Sequence, residues 1–484
     1  MNYLSVTFFI FICVFVRIYY MVQPQHRYII LFLGSYLFYG WSNPKILLVL
    51  ILVTIISYVG GLLLDIYNRK AVYVTFFLLE ISVLGIYKYT DFLITNINQV
   101  LCKTLETSIS VNWDIALPVG LSFMVFQACT YLSDVYRRKV SVEKNVIKYA
   151  TFVAFFPTVL SGPIQKSRNL LPQISSPRAF DYNMAKSGTL LFTWGAFEKI
   201  MVANKLSQIY LSVLPDYMNR SSAELLIGAM CFSLYIYADF SSYSDMARGV
   251  GKILGIEVGK NFNNPYLSQS TAEFWNRWHM SLNEWFIENL YIPLGGNRKG
   301  NIRKYINMLI VFLVSGLWHG AQWHFVVWGL FNGVIVVIGQ LIKPFKIFVY
   351  KKLNIDEKTE SIVLIRRVIV FFLITLTWIF FTSETMDSFS ICKRILMFNY
   401  FSIFNPDLLC IAGTAVGTFV IVISTILFCK VQIRRQDEQN IYEVYCRQPL
   451  FLQGLLVAAI ISVCIFGACA TDANIDTQFL YFQF

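Results

Sequence analysis

Four histidines stand among the 484 residues: His26, His279, His319 and His324. An imidazole has an unperturbed pKa near 6.5, so it suits proton transfer at neutral pH. Two of the four lie in Ser315-Gly-Leu-Trp-His-Gly-Ala-Gln-Trp-His324. On a helix, Ser315, Gly316, His319 and Trp323 share one face through i, i+3 and i+4 spacing. His324 follows His319 by five residues, which puts it about 140° around the helix. The two rings then do not face one another, which is poor geometry for a metal, and no metal site is expected. Gly316 and Gly320 flank His319 without side chains and leave room for a substrate. Two readings of His319 stand on local sequence: a core histidine bonded to a backbone carbonyl, and a general base.

His279 lies in Phe274-Trp-Asn-Arg-Trp-His-Met-Ser-Leu-Asn-Glu-Trp285. Asn276, His279 and Asn283 align on one helical face, with Trp275 beside them. A polar stripe among tryptophans suits a lined channel or a surface helix in an aromatic belt, and the local pattern favours the belt. The surrounding stretch, 239–300, also holds Asp239, Asp245, Arg248, Glu273, Arg277 and Glu284. Ionisable groups at membrane depth are costly and tend to line a cavity or a substrate path. Asp239 and Asp245 either line such a path or form an internal ion pair with Arg248.

The elements that must hold these residues are membrane helices. Hydrophobic residues make up 56% of the chain and charged residues 14%, against about 25% charged in an ordinary soluble domain. A bilayer core takes about 20 apolar residues per helix. Candidate spans are 4–22, 27–39, 46–64, 72–87, 115–132, 149–160, 189–214, 225–237, 305–317, 323–342, 363–381, 408–428 and 449–468. Several are short enough to be tilted, re-entrant or buried, so the expected fold is an all-α polytopic bundle of roughly eleven to thirteen crossings. The first stretch lacks a basic leader and a cleavage site, and reads as a retained helix. Segment 239–300 shows no clean span, which predicts amphipathic helices buried in the bundle.

The net charge is +12, but the basic residues sit in short clusters between apolar runs, such as Arg137–Lys148 and Arg298–Lys304. That pattern fits cytoplasmic loops under the positive-inside rule and argues against nucleic acid. With the clusters in the cytoplasm, the last span runs outward and tail 471–484 lies outside. The ten cysteines include no C-x-x-C pair and fall mostly within apolar runs, as buried thiols would.

Phe274–Trp285, Tyr291-Ile-Pro-Leu-Gly-Gly-Asn-Arg-Lys299 and Gly316-Leu-Trp-His-Gly320 together resemble the signature of the membrane-bound O-acyltransferase family. Tyr237-Ala-Asp-Phe-Ser-Ser-Tyr-Ser-Asp-Met246 and Phe156-Pro…Ser161-Gly-Pro-Ile164 are similar to its bacterial branch that O-acetylates alginate or peptidoglycan. The resemblance implies a helical bundle around a tunnel, with cytoplasmic donor entering on one side and acceptor on the other. His319 matches the family's catalytic histidine, and His279 its second histidine, toward the donor side. Asn276, Asn283, Trp275, Trp318, Trp323, Ser315, Asp239 and Asp245 are the expected tunnel residues. No bound cofactor is implied; acetyl-CoA is the expected donor substrate.

The chain ends Phe479-Leu-Tyr-Phe-Gln-Phe484. This is similar to a C-terminal tyrosine motif of bacterial polysaccharide-acylating members, in which the tyrosine briefly carries the acyl group. A phenol, with a pKa near 10, leaves more readily than an aliphatic alcohol, so acetyl-Tyr481 would remain an activated donor. The expected organisation is a transmembrane domain, 1–470, and an extracytoplasmic tail, 471–484. The expected function is transfer of acetyl from acetyl-CoA across the bacterial inner membrane, via Tyr481, to an extracellular polysaccharide. The expected partners are an extracytoplasmic SGNH-type acetyltransferase, the polysaccharide and the lipid bilayer. The rivals are a teichoic-acid D-alanyl transferase fed by a carrier-protein thioester, and a non-catalytic transporter or scaffold.

Overall fold

The computed structural model describes residues 1–41, 43–105, 107–108, 117–397, 415–434, 445–469 and 479. Among them every regular element is helical. That is what lipid demands, because it offers no hydrogen bonds to an open strand. Ile46–Tyr67, Lys70–Thr104, Ser222–Ile253, Trp323–Lys352 and Glu360–Thr382 are long and apolar enough to cross a bilayer. Val6–Met21, Ile421–Ile433 and Leu450–Ser462 are apolar but shorter. Leu48, Leu78, Leu364 and Phe451 are all exposed, as lipid-facing side chains are.

The chain forms two compact units. The first comprises Met1–Phe192 and Ser244–Gly259. It contains α1 (Val6–Met21), α2 (Arg27–Gly40), α3 (Ile46–Tyr67), α4 (Lys70–Leu105), α5 (Leu121–Tyr136), α6 (Val146–Val153), α7 (Ser167–Ser175) and most of α8 (Tyr182–Phe197). Small residues let these helices approach closely. A Cβ on Gly61 of α3 would stand 2.5 Å from the Tyr131 ring of α5. The Tyr3, Phe8, Phe11, Phe15, Phe38 and Phe156 rings interlock in the core.

The second unit comprises Thr193–Tyr243 and Lys260–Leu480. After the end of α8 it contains a π-helical turn (Glu198–Ala203), α9 (Asn204–Val213) and the larger part of α10 (Ser222–Ile253). Then follow α11 (Thr271–Arg277), α12 (Met280–Phe286), α13 (Gly300–His319), α14 (Trp323–Lys352), α15 (Glu360–Thr382), α16 (Thr385–Met397), α17 (Ala415–Arg434) and α18 (Leu450–Cys469). Its most extensive helix pair is α13 with α14. A Cβ on Gly316 would lie 2.2 Å from the Phe325 carbonyl oxygen, and one on Gly329 would lie 2.3 Å from that of Phe312. Glycine is therefore required at both positions for the two backbones to touch.

The helix boundaries depart from the hydropathy reading in several places; α4 and α14, for example, run on well past the expected 87 and 342, to Leu105 and Lys352. The expected span 225–237 continues unbroken to Ile253 as α10, so Asp239 and Asp245 sit inside a long, mostly buried helix. The expected span 189–214 is α8 and α9 joined by the π-helical turn. The expected span 149–160 is helical only within α6; Pro157 disfavours helical backbone at the residue before it. In the expected span 115–132, helix begins at Leu121, after Gly120 in the left-handed region at φ 81°.

Candidate active site

The Phe274–Trp285 motif does not form one helix. Ser270 caps α11 by accepting from the Glu273 N–H, and Glu273 accepts from the Gln269 N–H at 2.7 Å. This is a capping box shifted by one residue. The helix stops at Arg277, and His279 adopts φ 44°, ψ 55° before α12 begins. A left-handed residue breaks a helix, and the backbone groups released by the break need partners. An adjacent segment supplies them. The Asn263 N–H donates to Arg277 O at 3.0 Å, and the Met280 N–H donates to Asn261 O at 2.8 Å. The Ser281 hydroxyl reinforces the join by donating to Asn261 Oδ1 at 2.6 Å.

The break corrects the single-face expectation for Asn276, His279 and Asn283. Asn276 is exposed. Asn283 turns back toward α11 and donates to Trp275 O at 3.3 Å and to Asn276 Oδ1 at 3.4 Å, so those two amides still meet. His279 is only 3% exposed and stands edge-on to Phe240, 4.6 Å between ring centroids. Outside the long apolar helices, burial pushes its imidazole down to about 3, so the ring is neutral at physiological pH.

His319 is the last residue of α13; extended backbone at Gly320 ends the helix there. Its ring is 5% exposed and enclosed by Trp318, Trp328 and Phe381, with centroids 4.9, 5.1 and 5.2 Å away. Trp318 also touches His279, at 6.0 Å, so one indole contacts both imidazoles. Termination at His319 removes Trp323 from the expected shared face. Trp323 opens α14 and is 59% exposed. Gly316 and Gly320 also serve another purpose than the sequence suggested. A Cβ on Gly320 would strike the Phe325 ring, so both glycines admit α14 rather than a substrate.

One cavity brings the two imidazoles together. His279, His319, Ser315, Asn283 and Trp275 line it, against the apolar walls of Trp278, Phe286 and Phe312. The arrangement combines two imidazoles, a hydroxyl and an amide in a mostly aromatic chamber. It can take a proton from an acceptor hydroxyl. His324 has a different environment: Nδ1 lies 3.0 Å from Phe380 O and Nε2 lies 2.5 Å from Gln322 Oε1. It ties the start of α14 to the end of α15.

Asp239 and Asp245 line no part of this cavity. Asp245 meets Arg248 at 3.4 Å, and Asp239 meets Lys199 at 2.6 Å, with both members of the latter pair 1% exposed. Beside that pair, Glu198 accepts from Ser241 Oγ at 2.9 Å, from Gln432 Nε2 at 2.8 Å and from the Trp194 indole N–H. Sequence reasoning missed Lys199 and Glu198. The available signal was two adjacent charges inside an apolar run. Trp328 and Phe381, which enclose His319, carried no local signal. Tyr481 lies outside the described residues.

Helices throughout the described residues, five of them of membrane length, and a chamber with two histidines define an integral membrane protein with a candidate catalytic site. Residues 71–383 match the membrane-bound O-acyltransferase family. The chain belongs to that family and is a multi-pass membrane O-acyltransferase. It is 33% identical over 390 residues to "Probable alginate O-acetylase AlgI" of Azotobacter vinelandii, covering 79% of this chain and 75% of that protein. It is 30% identical to the peptidoglycan O-acetyltransferase of Helicobacter pylori, covering 76% and 73%. The teichoic acid D-alanyltransferase of Bacillus subtilis is 26% identical over 45% of this chain and 58% of its own length.

Proposed function

We propose that this acyltransferase moves an acetyl group from cytoplasmic acetyl-CoA across a bacterial inner membrane for O-acetylation of an extracellular polysaccharide. The observation that carries the reading is the chamber in which His279 and His319 line one cavity inside a membrane protein. The basic loop clusters support an orientation with the donor side in the cytoplasm.

In the first step His319 takes the proton of the Tyr481 hydroxyl, and the phenolate oxygen attacks the thioester carbonyl. The C–S bond breaks, and the imidazolium returns its proton to the thiolate to give free CoA. His279, neutral and toward the donor side, helps hold the thioester, with Ser315, Asn283 and Trp275 as further chamber residues and Trp318 packed against both imidazoles. In the second step the serine hydroxyl of an SGNH-type acetyltransferase outside the membrane attacks acetyl-Tyr481; the aryl ester C–O bond breaks, the phenolate takes up the serine proton to restore the Tyr481 hydroxyl, and the acetyl-serine passes its acyl group to the glycan hydroxyl, which returns its proton to the serine. Tail 471–484 has fourteen residues and spans up to about 46 Å, so it can return from the outer face to the middle of a core about 30 Å thick. Alginate and peptidoglycan are the acceptors that the names of the relatives suggest. The D-alanyl transferase relatives support their own reading less, because they cover under half of this chain.

The test is purified protein in liposomes with acetyl-CoA, followed by mass spectrometry of the C-terminal peptide. The expected result is CoA release with an acetyl adduct on Tyr481, and loss of the adduct and of polymer acetylation in Tyr481→Phe. That substitution removes only the hydroxyl, so a tail that merely anchors the chain would leave acetylation near normal. CoA release with normal polymer acetylation by Tyr481→Phe would overturn the carrier step. A turnover with D-alanyl thioester and none with acetyl-CoA would overturn the donor.

A further inference from the structure

Phe479 is 1% exposed. Its ring lies edge-on to Tyr243 with centroids 5.1 Å apart, and the Lys199 ammonium sits 4.6 Å from its centre. That ammonium is itself held by Asp239 at 2.6 Å. The Phe479 ring thus lies over a buried cation, where the attraction of a ring face for a cation is strongest because water does not compete. A lysine and an aspartate buried this deeply are costly as a pair, and a leucine with a phenylalanine would pack the same space more cheaply. The charge calls for a use.

The same helix joins this spot to the chamber. Asp239 of α10 holds Lys199, the next residue, Phe240, packs against the His279 imidazole, and Tyr243, one turn on, packs against Phe479. Tyr481 follows Phe479 by two residues, so its Cα is tethered within about 7 Å of that of Phe479. We propose that the Lys199–Asp239 pair, with Tyr243, is a receptor for the aromatic ring of Phe479, and that Phe479 is a positioning residue which docks the tail for acyl transfer at Tyr481. The proposal rests on the carrier reading of Tyr481. It adds to that reading a specific tail-docking site and the interaction that recognises it.

Two measurements on the full-length protein test it. In the first, the photoreactive p-benzoylphenylalanine replaces Phe479 and the protein is irradiated in liposomes. Cross-links to peptides containing Lys199 or Tyr243 are expected; cross-links confined to lipid would overturn the docking site. In the second, the rate of Tyr481 acetylation is followed in a single turnover. Phe479→Leu keeps apolar bulk and loses the ring, and should slow acetylation on the order of tenfold. The KM for acetyl-CoA and the thermal unfolding midpoint should stay unchanged, and Phe479→Trp should restore the rate. Lys199→Met with Asp239→Asn removes both charges together, so no buried charge is left uncompensated, and should reproduce the Leu defect. A Phe479→Leu protein that acetylates Tyr481 at the wild-type rate would overturn the positioning role. Cross-links to Lys199 or Tyr243 without any acetyl-Tyr481 in wild type would support the docking site and overturn the carrier reading instead.

Discussion

Asp134 in the first unit and the histidine chamber in the second are both polar groups sunk in apolar protein, and they are treated in opposite ways. Asp134 is 2% exposed, and both carboxylate oxygens are engaged, one by Ser167 Oγ at 2.8 Å and the other by Arg168 at 2.9 Å. Its partners come from the adjoining helix α7 and close around it. His279 and His319 are buried to a similar degree, yet their ring neighbours are aromatic and both face a cavity. The difference teaches where burial serves the fold and where it serves chemistry. A carboxylate with both oxygens engaged holds two helices together. An imidazole walled by rings against an open space keeps its capacity for proton transfer.

The sharpest way to break this contrast is His319→Ala. A catalytic base should cost about a thousandfold or more in acyl transfer, with insertion and thermal midpoint near wild type. The measurement is polymer acetylation in cells carrying matched amounts of protein, and activity within a few-fold of wild type would end the role assigned to His319. His279→Ala should fall next in size, losing roughly ten- to a hundredfold, with the loss concentrated in donor use, because the proposed mechanism gives its ring the thioester to hold and leaves the base to His319. Titration of single-turnover rate against acetyl-CoA checks this. A loss equal to that of His319→Ala would make the two imidazoles one catalytic unit.

Asp134→Ala should behave in the reverse manner. Removing the carboxylate strands Ser167 and Arg168 and should cost about 1–3 kcal/mol of stability. Arg168 is 28% exposed on its side chain, so water recovers part of that interaction. The folded yield and unfolding midpoint should drop while activity per folded molecule is retained; a specific activity loss at normal stability would erase the contrast. The smallest effect is expected for His324→Ala. Its ring bonds to Phe380 O and Gln322 Oε1, so its loss should cost about 1 kcal/mol and leave acyl transfer within a few-fold. A His324→Ala protein as inactive as His319→Ala would show that local hydrogen bonding does not separate structural from chemical histidines here.

The sequence alone determined the all-helical membrane class, because composition and apolar run length report directly on the solvent each segment requires. It also determined the family, through the ordered motifs from Phe156 to Gly320, and it singled out His279 and His319 through the two motifs that contain them. The tertiary structure decided what periodicity cannot see. His279 takes a left-handed conformation only because Asn261 and Asn263, distant from the motif, accept and donate the hydrogen bonds that the break releases. That one residue separates Asn276 from the cavity and turns Asn283 back toward Trp275. The pairing of Asp239 with Lys199 rather than Arg248 joins residues forty positions apart. Gly316 is read from local sequence as space for a substrate, yet the Phe325 carbonyl of the following helix fills that space. Each of these outcomes depends on which groups a long-range contact brings together. Helical spacing restricts the faces available to a residue, but the neighbour that meets each face is chosen by packing.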